Sequence, residues 1–146
     1  QRMSAGTGIS HSESNASRED PVHFLQIWIL PARRALQPSY EQKSFPLEAR
    51  RGVLLPVASG EDSLTRGHDL VRIHQDATLF LSTVRPEDDV EHQLRPGRRA
   101  YLFVVSGALD LNGSRLESGD VGKVTEETAL TFRAGNPSEI LMIDLP

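Results

Sequence analysis

An all-β fold, of sandwich or barrel type, follows from three features of this 146-residue sequence. Short apolar bursts rich in β-branched and aromatic residues recur along the chain. Turn-forming residues separate them at short, fairly even intervals. No segment carries the sustained apolar spacing of a helix of ordinary length.

The first burst, His23–Leu30, is closed by Pro31 and predicts a buried strand. Residues 31–56 differ in composition, with four prolines and the basic pairs Arg33-Arg34 and Arg50-Arg51. They read as an extended connector with one short strand. Further bursts follow at Val53–Leu55, Leu70–Ile73, Ala77–Leu81, Tyr101–Val105, Ala108–Leu111, Leu130–Phe132 and Ile140–Ile143. The intervening turns include Ser59-Gly60, Arg66-Gly67, Pro96-Gly97, Asn112-Gly113, Ser118-Gly119-Asp120 and Gly135-Asn136-Pro137. Asn-Gly is the strongest of these signals, because both residues tolerate the positive φ of a type I′ hairpin.

Composition narrows the function classes. The net charge is −4, without a long basic run, which disfavours direct binding to nucleic acid. The sequence has no cysteine, so disulfides, cysteine-based zinc sites and thiol catalysis are excluded, and a reducing, cytoplasmic compartment is expected. No apolar run approaches the roughly 20 residues of a helical membrane span. The start at Gln1, with no apolar stretch behind it, reads as an entry into the middle of a longer protein, without a signal peptide.

The best candidate for chemistry lies near that start, in His11-Ser12-Glu13. On a strand, residues i and i+2 share a face, so imidazole and carboxylate could approach one ion. Such a donor pair suits ferrous iron and also accepts nickel, copper, manganese or zinc. Spacing alone does not separate a metal pair from two solvated side chains.

The surrounding residues add to this. Met3-Ser-Ala-Gly-Thr-Gly-Ile-Ser-His-Ser-Glu13, then Leu25-Gln-Ile-Trp28, then Tyr40-Glu41, resembles the middle of a pirin family protein. Ser63-Leu64, Gln75-Asp76, Pro96-Gly97, Asn112-Gly113, Gly119-Asp120 and the ending Ile143–Pro146 extend the resemblance over essentially the whole chain. It implies a bicupin, in which each cupin is a small jelly-roll β-barrel. This chain would be about the last three-fifths of one. Residues 1–36 would then be closing strands of an N-terminal metal-binding cupin, 37–50 a connector, and 51–146 a complete C-terminal cupin. The family's earlier His-x-His pair has no counterpart here.

The resemblance further implies a site of three His and one Glu, with His11 and Glu13 as metal ligands, Fe(II) as the cofactor and Glu13 as the catalytic base. The implied activity is a quercetin 2,3-dioxygenase acting on a flavonol. The alternative is a non-catalytic iron protein acting as a transcription cofactor through protein partners. With half its ligands, this stretch alone is expected to hold no metal tightly and to be inactive. It is expected to self-associate or pair with the piece that would precede it.

Other candidates read as structural. His23 shares a predicted strand face with Leu25, Ile27 and Ile29, which suits a core or interface histidine. Gln26 and Trp28 face the other way, as packing or cavity lining. His92 lies where a cupin's first ligand strand belongs, but Leu94 stands at the second ligand position. The Tyr101–Gly107 strand offers no glutamate, so the C-terminal cupin is expected to be metal-free. His68, His74 and the pairs Arg33-Arg34, Arg50-Arg51 and Arg98-Arg99 read as surface.

Overall fold

The structure is a computed structural model and describes residues 1–61, 67 and 69–146. His68 and the Ser63-Leu64 pair lie outside the described residues. Two short strands come first, β1 (Arg2–Ser4) and β2 (Ser39–Glu41), which pair antiparallel with each other. A 3-10 turn at Leu47–Arg50 is the only helical element among the described residues. Ten strands follow: β3 (Leu55–Ser59), β4 (Val71–Arg72), β5 (Thr78–Val84), β6 (Val90–Gln93), β7 (Arg99–Ser106), β8 (Ala108–Leu111), β9 (Ser114–Glu117), β10 (Val121–Val124), β11 (Ala129–Ala134) and β12 (Ser138–Leu145).

These ten strands form two sheets. One runs β10-β7-β12-β5-β3-β4 and the other β6-β11-β8-β9, and every pairing is antiparallel except β3 with β4. Their inner faces meet in one core that includes Phe80, Val84, Leu102, Val104, Leu109, Leu130, Phe132, Ile140 and Met142. Period-two alternation explains which residues enter it: along β7, Ala100, Leu102 and Val104 are buried while Tyr101, Phe103 and Val105 point outward. The continuous run Ile140–Ile143 makes sense because β12 is central, between β7 and β5, with apolar neighbours on both faces.

The Asn112-Gly113 turn joins β8 to β9 as expected. Asn112 has φ 49° and Gly113 φ 84°, and Leu111 pairs with Ser114 across a two-residue loop. The Asn112 side chain also ties the turn to β11, accepting from the Thr131 backbone N–H at 2.8 Å and donating to the Ala129 carbonyl at 2.9 Å.

The outer face of the six-stranded sheet is apolar too. Val57, Ala58, Val71, Ile73, Leu79, Leu141 and Ile143 form a second cluster there, against which Ile29 and Phe45 from the preceding segment pack. The 5–38 segment crosses this region without forming a strand. It is anchored by the Ala32 N–H on the His74 carbonyl at 2.8 Å and by Gln75 Nε2 on the Leu30 carbonyl, also at 2.8 Å. Arg2 adds a further tie from β1, donating through Nε to the Arg72 carbonyl at 2.9 Å.

The strand expected at His23–Leu30 is therefore corrected: those residues are irregular, and Phe24, Trp28 and Leu30 are exposed. A strand is held by a ladder of backbone hydrogen bonds to a neighbouring strand, and no described strand pairs with these residues. Apolar alternation alone cannot substitute for that ladder.

Candidate metal centre

His11 and Glu13 sit in the same irregular segment, so the strand geometry expected to set them on one face is absent. Both side chains are exposed. The backbone before them turns tightly, with Gly6 at φ 54° and the Gly8 N–H on the Ala5 carbonyl at 2.7 Å. A side chain at Gly6 would strike the Leu36 carbonyl oxygen, because a Cβ there would lie 2.0 Å from it. This glycine lets the motif pass directly beside residues 36–38.

Glu13 is held from both sides. Gln1 Nε2 donates to Oε1 at 2.9 Å and Gln26 Nε2 to Oε2 at 3.3 Å. Behind Gln26, the Trp28 indole N–H reaches Oε1 at 3.4 Å, and behind Gln1 the Tyr40 hydroxyl reaches its Oε1 at 3.3 Å. A chain of polar contacts thus runs Tyr40–Gln1–Glu13–Gln26–Trp28, fixing the carboxylate while leaving its remaining lone pairs open to solvent.

Sequence reading missed the part played by Gln1 and Gln26. The available signal was the spacing Gln26-x-Trp28, read there as packing or cavity lining. Trp28 is in fact 90% exposed, and Gln26 turns to Glu13 instead of into a core. His23 is not the core histidine expected; it is exposed and lines a cleft with Phe24 and Leu25.

The donors present suit a divalent ion by type, an imidazole and an ionisable carboxylate already oriented by two amides. They do not complete a site among the described residues. Among the described residues, no group of three or more His, Cys, Asp or Glu side chains converges.

In the barrel, His92 is committed elsewhere. Its Nε2 donates to Asp144 Oδ2 at 3.1 Å and its ring packs edge-on against Phe80, with centroids 5.1 Å apart. Asp144 also accepts from Arg98 Nε, while Arg98 Nη1 reaches Asp76 at 2.9 Å. Burial works to raise the Asp144 carboxyl, but the hydrogen bonds from His92 and Arg98, with the charge of Arg98, outweigh it and hold the group below the ordinary carboxylate range. Arg98 is therefore not the surface residue expected. It is only 9% exposed, because two carboxylates and the Asp144 carbonyl compensate its desolvation. Leu94, at the position where a second ligand would stand, is buried in the core.

No helix among the described residues is long and apolar enough to cross a membrane.

Comparison with known proteins agrees with this architecture. The profile described as Quercetinase C-terminal cupin domain matches residues 62–145, and the profile described as Pirin matches residues 1–29. A quercetin 2,3-dioxygenase of Escherichia coli K12 is 34% identical over 146 residues, covering 100% of this chain and 60% of that protein. A pirin-like protein of Caulobacter vibrioides is 32% identical over 144 residues, covering 99% of this chain and 60% of its own length. The chain thus spans about 60% of the length of these relatives. Among solved structures, the bacterial pirin YhhW from Escherichia coli in complex with nickel(II) superposes with a TM-score of 0.71 at 29% identity, covering 82% of this chain and 48% of that one. The two sheets are those of a jelly-roll cupin, and with the C-terminal cupin profile spanning more than half of its residues, this chain belongs to the pirin family.

Proposed function

We propose that, in a protein of the length of its relatives, His11 and Glu13 are two of the protein ligands of a divalent metal ion, and that the protein is a dioxygenase acting on flavonols such as quercetin. The observation that carries this reading is the match of the pirin profile to residues 1–29, which contain both side chains, beside a carboxylate already oriented by Gln1 and Gln26. The nickel-bound relative and the relative named as a quercetin 2,3-dioxygenase support the metal and the substrate class.

Iron(II) is the ion we favour, with nickel, copper, manganese and zinc open to the same donors. When bound, such an ion would chelate the adjacent hydroxyl and carbonyl oxygens of a flavonol and make that hydroxyl easier to ionise. Glu13, an acceptor with lone pairs to spare, would take the hydroxyl proton. Gln1 and Gln26 would keep its carboxylate from rotating out of reach. The imidazole of His11 would serve as a neutral donor, with its second nitrogen free to be oriented by a neighbouring chain segment. On this reading residues 1–36 belong to the metal-binding unit, 37–50 to a connector and 51–146 to a barrel without metal.

The test compares this chain, a protein extended to the relatives' length, and its His11→Ala variant. Metal content and quercetin-dependent oxygen uptake are measured on each. The extended protein should hold about one ion and consume oxygen, and the variant should lose both. This chain alone should hold metal weakly. Bound metal without turnover would favour a non-catalytic, partner-binding role. Full activity in this chain alone would show that the site lies elsewhere.

A further inference from the structure

Asn112 carries a reactivity that its part in the hairpin does not use. The backbone nitrogen after an asparagine can attack the side-chain Cγ, forming an N–Cγ bond and expelling ammonia. Water then opens the resulting succinimide at either carbonyl, leaving aspartate or its β-linked isomer, isoaspartate. These steps need no oxidant, reductant or enzyme, only water and a nitrogen able to lose its proton. The chain has three asparagines, and Asn112 alone precedes a glycine, where no side chain crowds the attacking nitrogen. Asn15 precedes Ala16, and Asn136 precedes Pro137, which has no N–H to lose. Ready deamidation is therefore confined by sequence to one position.

The fold engages both reacting groups. The Gly113 N–H, whose proton must leave, donates to Asp110 Oδ1 at 2.7 Å. Ionising that nitrogen would set a second negative charge against the carboxylate, which opposes the step. The Asn112 side chain is tied at both ends to β11, the strand beside β8. Its Nδ2 donates to the Ala129 carbonyl at 2.9 Å, and its Oδ1 accepts from the Thr131 N–H at 2.8 Å and the Thr131 hydroxyl at 3.1 Å. Ring closure draws Cγ to bonding distance from the Gly113 nitrogen and turns the planar amide tetrahedral. Nδ2 and Oδ1 cannot keep all three partners through that movement. The bonds to Oδ1 polarise the amide carbonyl, but this helps only an attack whose geometry is already in place.

We propose that Asn112 is a modification site held dormant by the barrel, protected while the β8–β9 hairpin is docked on β11 and open to deamidation whenever it detaches. The products would not fit back. Aspartate lacks the Nδ2 donor to Ala129 and adds a carboxylate close in sequence to Asp110. Isoaspartate adds a methylene to the main chain inside a two-residue loop across which Leu111 pairs with Ser114. Each opening that ends in modification therefore makes the next one easier. The site is separate from His11 and Glu13 and stands or falls independently of the metal reading.

Conversion is read by peptide mass mapping, and its isoaspartate share by enzymatic methylation, on the whole chain kept at mildly alkaline pH. In guanidinium, Asn112 should convert faster than Asn15 or Asn136. Without denaturant it should convert at least about tenfold more slowly, as expected when only the small open population reacts. Asp110→Ala, which frees the Gly113 N–H, should raise the folded rate about fivefold, the worth of one modest hydrogen bond, and leave the rate in guanidinium unchanged. Thr131→Val, which removes the hydroxyl tether, should raise the folded rate by a smaller factor. Either variant suffices if the other fails to fold. Equal rates with and without denaturant, or folded variants as slow as the parent chain, would overturn the proposal. So would no conversion in guanidinium, or conversion there that favours Asn15.

Discussion

His92 Nε2 and Asp144 Oδ2 lie 3.1 Å apart, joining β6 of the four-stranded sheet to β12 of the six-stranded one. The contact ties the two sheets to each other. Arg98 adds a second donor to the same carboxylate and carries the contact on to Asp76.

Removing Asp144 should therefore be costly. Asp144→Ala leaves a buried guanidinium without its main partner and should lower stability by about 3 kcal/mol, read from urea unfolding at neutral pH. Asp144→Asn, which keeps the shape and one acceptor oxygen but turns the other oxygen that accepts from His92 or Arg98 into a donor, should cost less.

The same carboxylate makes an acid limb. Its pKa is lower in the folded chain than in the unfolded one, so the stability it contributes is fully present above the ordinary aspartate value, about 3.9. That contribution is lost as pH falls through the depressed folded value. Unfolding free energy measured from pH 6 downward should fall steeply below about pH 4, and less steeply in Asp144→Asn. Parallel curves for the two proteins would show that other carboxylates set the acid limit.

Gly107 should not tolerate a side chain. It has φ 87°, and a Cβ there would stand 2.4 Å from Ser138 Oγ and 2.9 Å from Ser138 Cα. Ser138 is fully buried and its hydroxyl accepts the Ala108 N–H at 3.0 Å. Gly107→Ala should cost at least about 2 kcal/mol, combining strained backbone with a displaced buried serine. At Gly119, with φ 91° and open space around it, the same change meets only the backbone penalty, about 1 kcal/mol. Thermal melts of both variants decide the ordering.

The hairpin at Asn112 offers a separate check. Asn112→Ala removes three contacts to β11, with the Thr131 N–H, the Thr131 hydroxyl and the Ala129 carbonyl. A loss of about 1–2 kcal/mol is expected, since these groups are exposed enough for water to replace part of the bonding. Asn112→Asp should recover the Thr131 contacts only.

Phe24, Trp28 and Leu30 are 61%, 90% and 85% exposed and lie within seven residues of one another. An apolar surface of this kind favours contact with another molecule. Sedimentation should show association that grows with concentration, accompanied by a blue shift of Trp28 emission. Phe24→Ser with Leu30→Ser should weaken both. A monomer at every concentration, with unchanged emission, would count against association through this segment.

Much of the barrel was legible because its signals are local. Asn112-Gly113 demands positive φ wherever it occurs, and alternation along Arg99–Ser106 assigns each residue a face without knowledge of its partner strand. The family resemblance was legible for a similar reason, since Met3–Glu13 and Gln26-Ile-Trp28 are contiguous strings. What the tertiary structure alone decided is everything that depends on a distant partner. His23–Leu30 carries a strand pattern but takes no strand, because a ladder requires backbone pairing and no described strand pairs with it. Arg98 looked like surface and is buried, because Asp76 and Asp144, 22 and 46 residues away, compensate its charge. Glu13 is gripped by Gln1 and Gln26 through contacts spanning 12 and 13 residues. A side chain's type and spacing determine what it can bond to, whereas burial and bonding depend on which remote groups the fold brings within about 3 Å.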